Sequence, residues 1–310
     1  MKYSGSIGLA LALCAFSAPA AAADGGATAW WVWAIALFVV CFAIGVVAVL
    51  AGVGGGVLFV PIVGGLFPFH LDFVRGAGLL VALTGALSAG PGLLRNGLAS
   101  LRLAGPLALV GSITSIAGAL LGFALPTTVL QTTLGVLILA IVVLMAAARG
   151  ADHPHVAASD ALAVALGLHG TFRDASSGSE VGWKAHRTAA GLAAFAVIGL
   201  VGGMFGLGAG WANVPALNLL MGAPIKLAVG TSGLAISIIN SAAAWIYIER
   251  GAVLPVVVAP SILGIMLGAR LGVLLLLKAS PAVVRRTVIV LLALAGLRSL
   301  LVGLGIGASS

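Results

Sequence analysis

The chain has 310 residues, 62% of them hydrophobic and only 7% charged, whereas a soluble globular domain carries about 25% charged residues. That composition excludes an ordinary water-soluble core and predicts an all-α protein that crosses a lipid bilayer many times. The formal charge of +8 does not indicate nucleic acid: the basic residues fall in short connections between apolar runs, and no basic stretch is interleaved with aromatics, so nucleic acid is excluded as a partner.

Taken from the start, residues 1–23 read as a signal peptide or an extra N-terminal helix. Lys2 precedes the apolar stretch Ile7 to Phe16, and Ala-rich Pro19 to Ala23 ends before Asp24. Leu13 beside Cys14 argues against a lipoprotein signal. Ten apolar segments follow. Trp30–Ala51, Val57–His70, Gly76–Leu94, Leu103–Leu125 and Thr127–Ala148 make a first transmembrane repeat over residues 30–148. Thr188–Phe205, Trp211–Met221, Leu227–Ile248, Val253–Leu277 and Pro281–Gly303 make a second over residues 188–304. Between them, residues 149–187 hold Asp152, Asp160, Asp174 and Glu180 and are expected to be a polar, solvated cytoplasmic linker, flexible in part. Lipid offers the backbone no hydrogen-bond partner, so the spans are helices. Trp30, Trp31 and Trp33 suit the interface at the first of them.

The two repeats are copies. A shift of 154 positions, without a gap, lays Gly52, Gly54, Gly56, Pro61, Gly76, Gly97, Pro106 and Gly118 on Gly206, Gly208, Gly210, Pro215, Gly230, Gly251, Pro260 and Gly272. Loop charge sets their relative orientation. With every segment crossing, Arg95, Arg102, Arg149, Arg173, Lys184, Arg187, Lys226, Lys278, Arg285 and Arg286 lie on one face. Arg75 and Arg250, each near an acid (Asp72, Glu249), remain on the other. If the second and seventh segments only re-entered, one basic cluster would be forced outside. The fold class expected is therefore two inverted repeats of about five transmembrane or partly re-entrant helices.

The second and seventh segments are too short to span comfortably: about 14 residues reach only about 21 Å. Their glycine-rich starts, Gly52-Val53-Gly54-Gly55-Gly56 and Gly206-Leu207-Gly208-Ala209-Gly210, are expected to be broken-helix hinges inside the membrane, with Pro61 and Pro215 as structural kinks. Backbone N–H groups at such breaks attract an anion. The candidate substrate-binding residues are Gly54, Gly55, Gly56, Gly208, Gly210, Asn213, Thr231, Ser232 and Asn240, and the hinges are Gly52, Pro61, Gly206 and Pro215. Thr231 and Ser232 open the eighth segment as read from sequence, so helix capping competes with binding there. The first half has Phe59, Ala77 and Gly78 where the second has Asn213, Thr231 and Ser232, so ligand hydrogen bonds are expected mainly from the second half. No acid lies inside a span, which counts against a proton relay or a cation site. Arg75, Arg95 and Lys226, near segment ends, read chiefly as topology-setting or snorkelling residues.

The string GLGAGWANVPALNLLMGAPIKLAVGTSG, Gly206 to Gly233, resembles the signature of the sulfite exporter TauE/SafE family of membrane transporters, and GVGGGVLFVPIVGGLF, Gly52 to Phe67, resembles its first-half copy. The resemblance extends from about Ala34 to Gly303. It implies export of sulfite or a related organosulfur anion by a polytopic inner-membrane protein of a prokaryote. It directs attention to the two breaks, Pro61, Pro215, Thr231 and Ser232. Arg75-Gly76-Ala77-Gly78 departs from the family pattern kept at Ala228 to Ser232.

Two other readings compete. Gly230-Thr231-Ser232-Gly233 has the form used by intramembrane serine proteases, but His70, His153, His155, His169 and His186 all lie at a segment end or in the linker, away from any mid-span serine, so no enzyme is expected. An anion channel is the nearer alternative, since broken helices also build pores. There is no phosphate-cradling Gly-Lys-Ser/Thr motif, so no ATP hydrolysis in this chain and no cofactor or metal are expected. The expected partners are a small anionic substrate and the lipid bilayer; association into a homo-oligomer is left open.

Overall fold

The computed structural model describes residues 30–51, 55–95, 99–147, 156, 158–173, 180–208, 210–276 and 281–304. Residues 1–23, read above as a signal peptide or extra helix, and the expected hinge and site positions Gly52 and Gly54 lie outside them. The first half contains helices α1 (Trp30–Ala51), α2 (Gly55–Leu66), α3 (Leu71–Arg95), α4 (Leu101–Ala124) and α5 (Thr127–Ala147). A short helix α6 (Ala161–Ala165) and strands β1 (His169–Arg173) and β2 (Glu180–Lys184) follow. The second half contains α7 (Thr188–Phe205), α8 (Gly210–Pro215) with a π-helical turn (Ala216–Leu220), α9 (Ile225–Glu249), α10 (Pro255–Leu276) and α11 (Pro281–Gly303).

The protein is an all-α polytopic membrane protein. Six helices among the described residues, α1, α3, α4, α7, α9 and α10, are long and apolar enough to cross a bilayer. The lipid-facing sides carry exposed apolar stripes at helical spacing: Ile35 and Val39 on α1, Leu109, Ile113, Ile116 and Leu120 on α4, Leu263, Leu267 and Leu271 on α10, and Leu294, Leu297 and Leu301 on α11. In water such stripes would aggregate; against acyl chains they cost nothing. Polar side chains turn inward instead: Arg75, Ser115, Asn213, Thr231, Ser232, Asn240 and Ser261 are fully buried.

The 154-residue shift seen in the sequence carries into the elements. Moved by it, the first residues of α3, α4 and α5 (Leu71, Leu101 and Thr127) fall on those of α9, α10 and α11 (Ile225, Pro255 and Pro281). Helices pair across the halves by exchange of partners. α1 packs along α10, and its counterpart α7 packs along α4, each pair parallel. Glycines permit both contacts: a Cβ on Gly264 would strike the carbonyl of Phe38 and one on Gly268 that of Phe42, while one on Gly203 would strike Ser115 O. Gly111 meets Ile239 and its counterpart contact, Ile265 with Gly85, is also made.

Counterparts α3 and α9 pack antiparallel. Arg75 near the start of α3 bonds Tyr247 near the end of α9, Ala82 and Asn240 flank the same glycine, and the Ser100 N–H beyond α3 reaches Thr231 early in α9. α5 and α11 are antiparallel too: Gly135 meets Leu300, and Gly303 meets Thr132. α3 runs alongside α10, Gly76 against Ala252 and Gly85 against Ile265, so α1 and α3 point the same way. The stretch containing α2 therefore carries the chain back between them.

The segment joining the halves is folded where described, as a short helix and a two-stranded hairpin. β1 and β2 form an antiparallel hairpin with Gly170 opposite Trp183, and Leu168, Trp183 and Ala185 are buried against a core that includes Leu217 and Met221. The His186 N–H donates to Met221 O at 3.1 Å, tying the segment to the end of the π-helical turn. Arg187, in the left-handed region with φ 53°, makes no side-chain cap for α7. Asp160 caps it from a distance, accepting from the Thr188 N–H at 3.0 Å and hydroxyl at 2.7 Å. Desolvation, the largest single influence, opposes these bonds, yet together with backbone N–H groups at 160 and 163 they hold the Asp160 carboxyl below its usual range.

Candidate site at the crossing of the two helix breaks

α7 ends at Phe205, and the chain then turns through Gly206 (φ 67°) and Gly208 (φ 71°), both left-handed conformations that a side chain would strain. This break is pressed against the first half. A Cβ on Gly56, in the first turn of α2, would lie 2.5 Å from the Leu207 carbonyl oxygen and 2.8 Å from that of Gly78. One on Gly78 would lie 2.5 Å from Gly206 O. Gly55, also buried, faces Ile265 and Val81 near the middle of α3. The two glycine-rich starts thus meet midway along the long helices, backbone against backbone.

Around this crossing the sequence candidates divide. Gly208 is flanked by Asn240: a Cβ there would lie 2.7 Å from Asn240 Nδ2 and 2.9 Å from Ala82 Cβ. Gly210 opens α8, and Asn213 stands three residues on, one helical turn along the same face. Asn213 is 0% exposed, and among the described residues neither its Oδ1 nor its Nδ2 has a hydrogen-bond partner; the same holds for Ser232 Oγ at 1% exposure. A buried amide or hydroxyl without a partner costs about 1–3 kcal/mol, so such groups mark a place where something polar is meant to arrive.

The repeat explains why Asn213 and Ser232 belong together. In the first half the ring of Phe59 lies 3.5 Å from where a Cβ on Gly78 would sit, filling its slot with carbon. The 154-residue shift maps Phe59 and Gly78 onto Asn213 and Ser232. At the counterpart positions the second half carries an amide and a hydroxyl, both without a partner among the described residues.

Thr231 and Ser232 do not cap their own helix, because α9 begins earlier, at Ile225, with Pro224 before it. Thr231 Oγ1 instead accepts the Ser100 N–H at 3.1 Å, and Ser100 in turn caps α4 by accepting from the Leu103 N–H. The Thr231 oxygen is thereby committed to the backbone, leaving Ser232 as the open hydroxyl of the pair. Pro61 is buried within α2. Pro215 ends α8, and the following turn widens, with the Met221 N–H reaching back to Ala216 O at 3.1 Å; Asn218 Nδ2 closes the end on Ala223 O at 2.8 Å.

Sequence reasoning missed the role of Arg75. It is no snorkelling cation: its side chain is fully buried where α3, α4, α7 and α9 meet. NH1 donates to Asp72 Oδ1 at 2.7 Å and to Gly122 O at 3.2 Å, and Nε and NH2 donate to Tyr247 OH at 3.1 and 2.9 Å. The Tyr247 hydroxyl donates onward to Gly203 O at 2.9 Å, at the end of α7. The guanidinium also lies over the rings of Phe123 and Tyr247. Two signals pointed to it: the Asp72-Arg75 spacing on one helix face, and Tyr247 as one of just two tyrosines in the chain. The counterparts of Arg75, Tyr247 and Gly122 are Val229, Leu93 and Leu276, so the sequence does not repeat this polar lock at the equivalent positions.

Among the described residues no cluster of His, Cys, Asp or Glu could hold a metal ion. A family model described as Sulfite exporter TauE/SafE matches residues 37–299. No curated protein and no solved structure matches the chain at a significant level.

Proposed function

The chain belongs to the sulfite exporter TauE/SafE family and is a membrane transporter of the kind that exports sulfite or a related sulfur anion; from that premise we propose that the anion is held at the crossing of the two helix breaks and passed across by alternating access. The observation that carries this reading is that Asn213, three residues past Gly210, and Ser232 are both buried with side-chain polar atoms that have no partner among the described residues. Asn240, Gly208 and Gly210 complete that wall, and Gly55 and Gly56 face it from the first half, backbone N–H groups adding dipoles suited to negative charge.

Inverted orientation of the halves is supported by two antiparallel pairs of counterpart helices, α3 with α9 and α5 with α11. Equivalent helices that pack antiparallel are related by a two-fold axis perpendicular to them, which in a bilayer lies in the membrane plane. The folded linker then lies on the cytoplasmic face of a prokaryotic inner membrane, where the positive loops collect, and the Arg75 lock lies at the outer face. Opening outward requires the lock to part while the glycine crossing acts as the pivot.

Flux in proteoliposomes tests the reading. The purified protein is expected to carry sulfite with a saturable rate, and Asn213→Leu, which keeps the size and removes both hydrogen-bonding ends, is expected to lower that rate about tenfold or more, the equivalent of one lost buried hydrogen-bonding group. Unsaturable current through single openings would favour a channel, and wild-type rates in Asn213→Leu would remove the site.

A further inference from the structure

We infer that the form of the anion this site takes is singly charged and still carries a proton, hydrogen sulfite in preference to the sulfite dianion; this rests on the transport reading above and goes beyond it. Charge is the first ground. The charged and titratable groups on the elements around the crossing are Asp72, Arg75 and the terminal Arg95 on α3, Arg102 on α4, Lys226, Tyr247 and Glu249 on α9, the exposed Arg250 just after it, the exposed Arg270 on α10, and His186 where the linker meets Met221. Lys226, Glu249 and Arg102 are exposed, and His186 is partly so. Arg75, fully buried, is already neutralised by Asp72 at 2.7 Å and directs three further N–H donors to Tyr247 and Gly122. What the crossing offers a solute is therefore neutral: amide, hydroxyl and backbone dipoles. The desolvation cost of an ion rises with the square of its charge, so a neutral, water-poor site holds a monoanion far better than a dianion.

Hydrogen-bond complementarity is the second ground. Both ends of the Asn213 amide lack partners, so its occupant must accept from Nδ2 and donate to Oδ1. Hydrogen sulfite can do both, with its anionic oxygens as acceptors and its acidic proton as donor. Sulfite and sulfate dianions have no proton to give, and would set a negative oxygen against the Asn213 carbonyl. A sulfonate has the right charge and lacks the donor, which places it between the two.

The second ionisation of sulfurous acid lies near neutrality, so pH separates the two forms without any change in the protein's sequence. Sulfite flux into proteoliposomes is measured at fixed total sulfite, with protein-free vesicles subtracted for passive entry of sulfur dioxide, and methanesulfonate serves as a permanent monoanion exposed to the same titrations of the protein. Saturable sulfite flux is expected to fall about tenfold between about pH 6 and about pH 8, following the protonated fraction. Methanesulfonate is expected to be carried more slowly, with a level profile, and sulfate more slowly still. Sulfite flux that holds level or rises with pH would overturn the inference, as would a methanesulfonate profile that falls in step with sulfite. Absence of saturable flux for all three solutes would overturn the transport reading itself, and this inference with it.

Discussion

Gly56→Val is expected to abolish transport while leaving the protein inserted in the membrane. The new Cβ would sit 2.5 Å from Leu207 O and 2.8 Å from Gly78 O, and both are backbone atoms on other segments, unable to swing aside as a side chain would. Overpacking of this kind costs about 1–3 kcal/mol. That is too little to keep apolar helices out of a bilayer, but here it forces apart the two glycine-rich starts at the proposed site. Flux is expected to drop by about tenfold or more, since the same energy applied to a barrier is a factor of about ten for each 1.4 kcal/mol. Gly90→Val is a fair control, because nothing lies within 4 Å of a Cβ built there. The readout is sulfite flux together with the amount of protein recovered from membranes. Wild-type flux in Gly56→Val would show that the crossing is not a working part.

The second large effect belongs to the Arg75 lock. Asp72→Asn leaves a fully buried guanidinium without its counter-ion, and breaking a buried pair from one side costs about 3–5 kcal/mol. The lower end applies, because the Asp72 side chain is 33% exposed and is partly solvated already. Removing both charges, as in Asp72→Leu with Arg75→Met, is expected to restore much of the stability, since an apolar pair of similar volume needs no desolvation to be offset. Thermal unfolding in detergent of the two single variants and the double gives the coupling directly. If the double variant is no more stable than Asp72→Asn, the pair is not acting as a buried ion pair.

Much of this architecture was legible in the chain. The 154-residue duplication singled out two glycine-rich stretches, and the structure brings Gly56 of one against Leu207 of the other. Asn213 stood out because its counterpart is Phe59, and a polar group in place of a ring in a lipid-embedded copy calls for a reason. The helix beginnings were less legible. α9 starts at Ile225, ahead of the Thr231 and Ser232 that looked like a cap, because Pro224 is already compatible with a helix start and nothing in the local sequence ends the pattern there. The fold of the linker was hidden for a different reason. Its hairpin is held by Trp183 and Leu168 packing on Leu217 and Met221, contacts with residues far along the chain that no local pattern encodes. Arg75 was misread because the same residue type near a segment end usually snorkels. What reverses that rule is Tyr247, brought alongside by the antiparallel packing of α3 and α9.

The proposed opposed orientation of the two halves underlies both the proposed site and the proposed motion, and single cysteines test it most directly. In a background lacking Cys14 and Cys41, Ala158→Cys in the linker and Leu304→Cys after α11 are both exposed positions that a membrane-impermeant thiol reagent can reach. Applied to sealed right-side-out membranes, the reagent is expected to label position 304 and spare position 158 until the membranes are opened. Labelling of both positions from the same side would place the linker and the end of α11 on one face, and two oppositely oriented five-helix units could not produce that result.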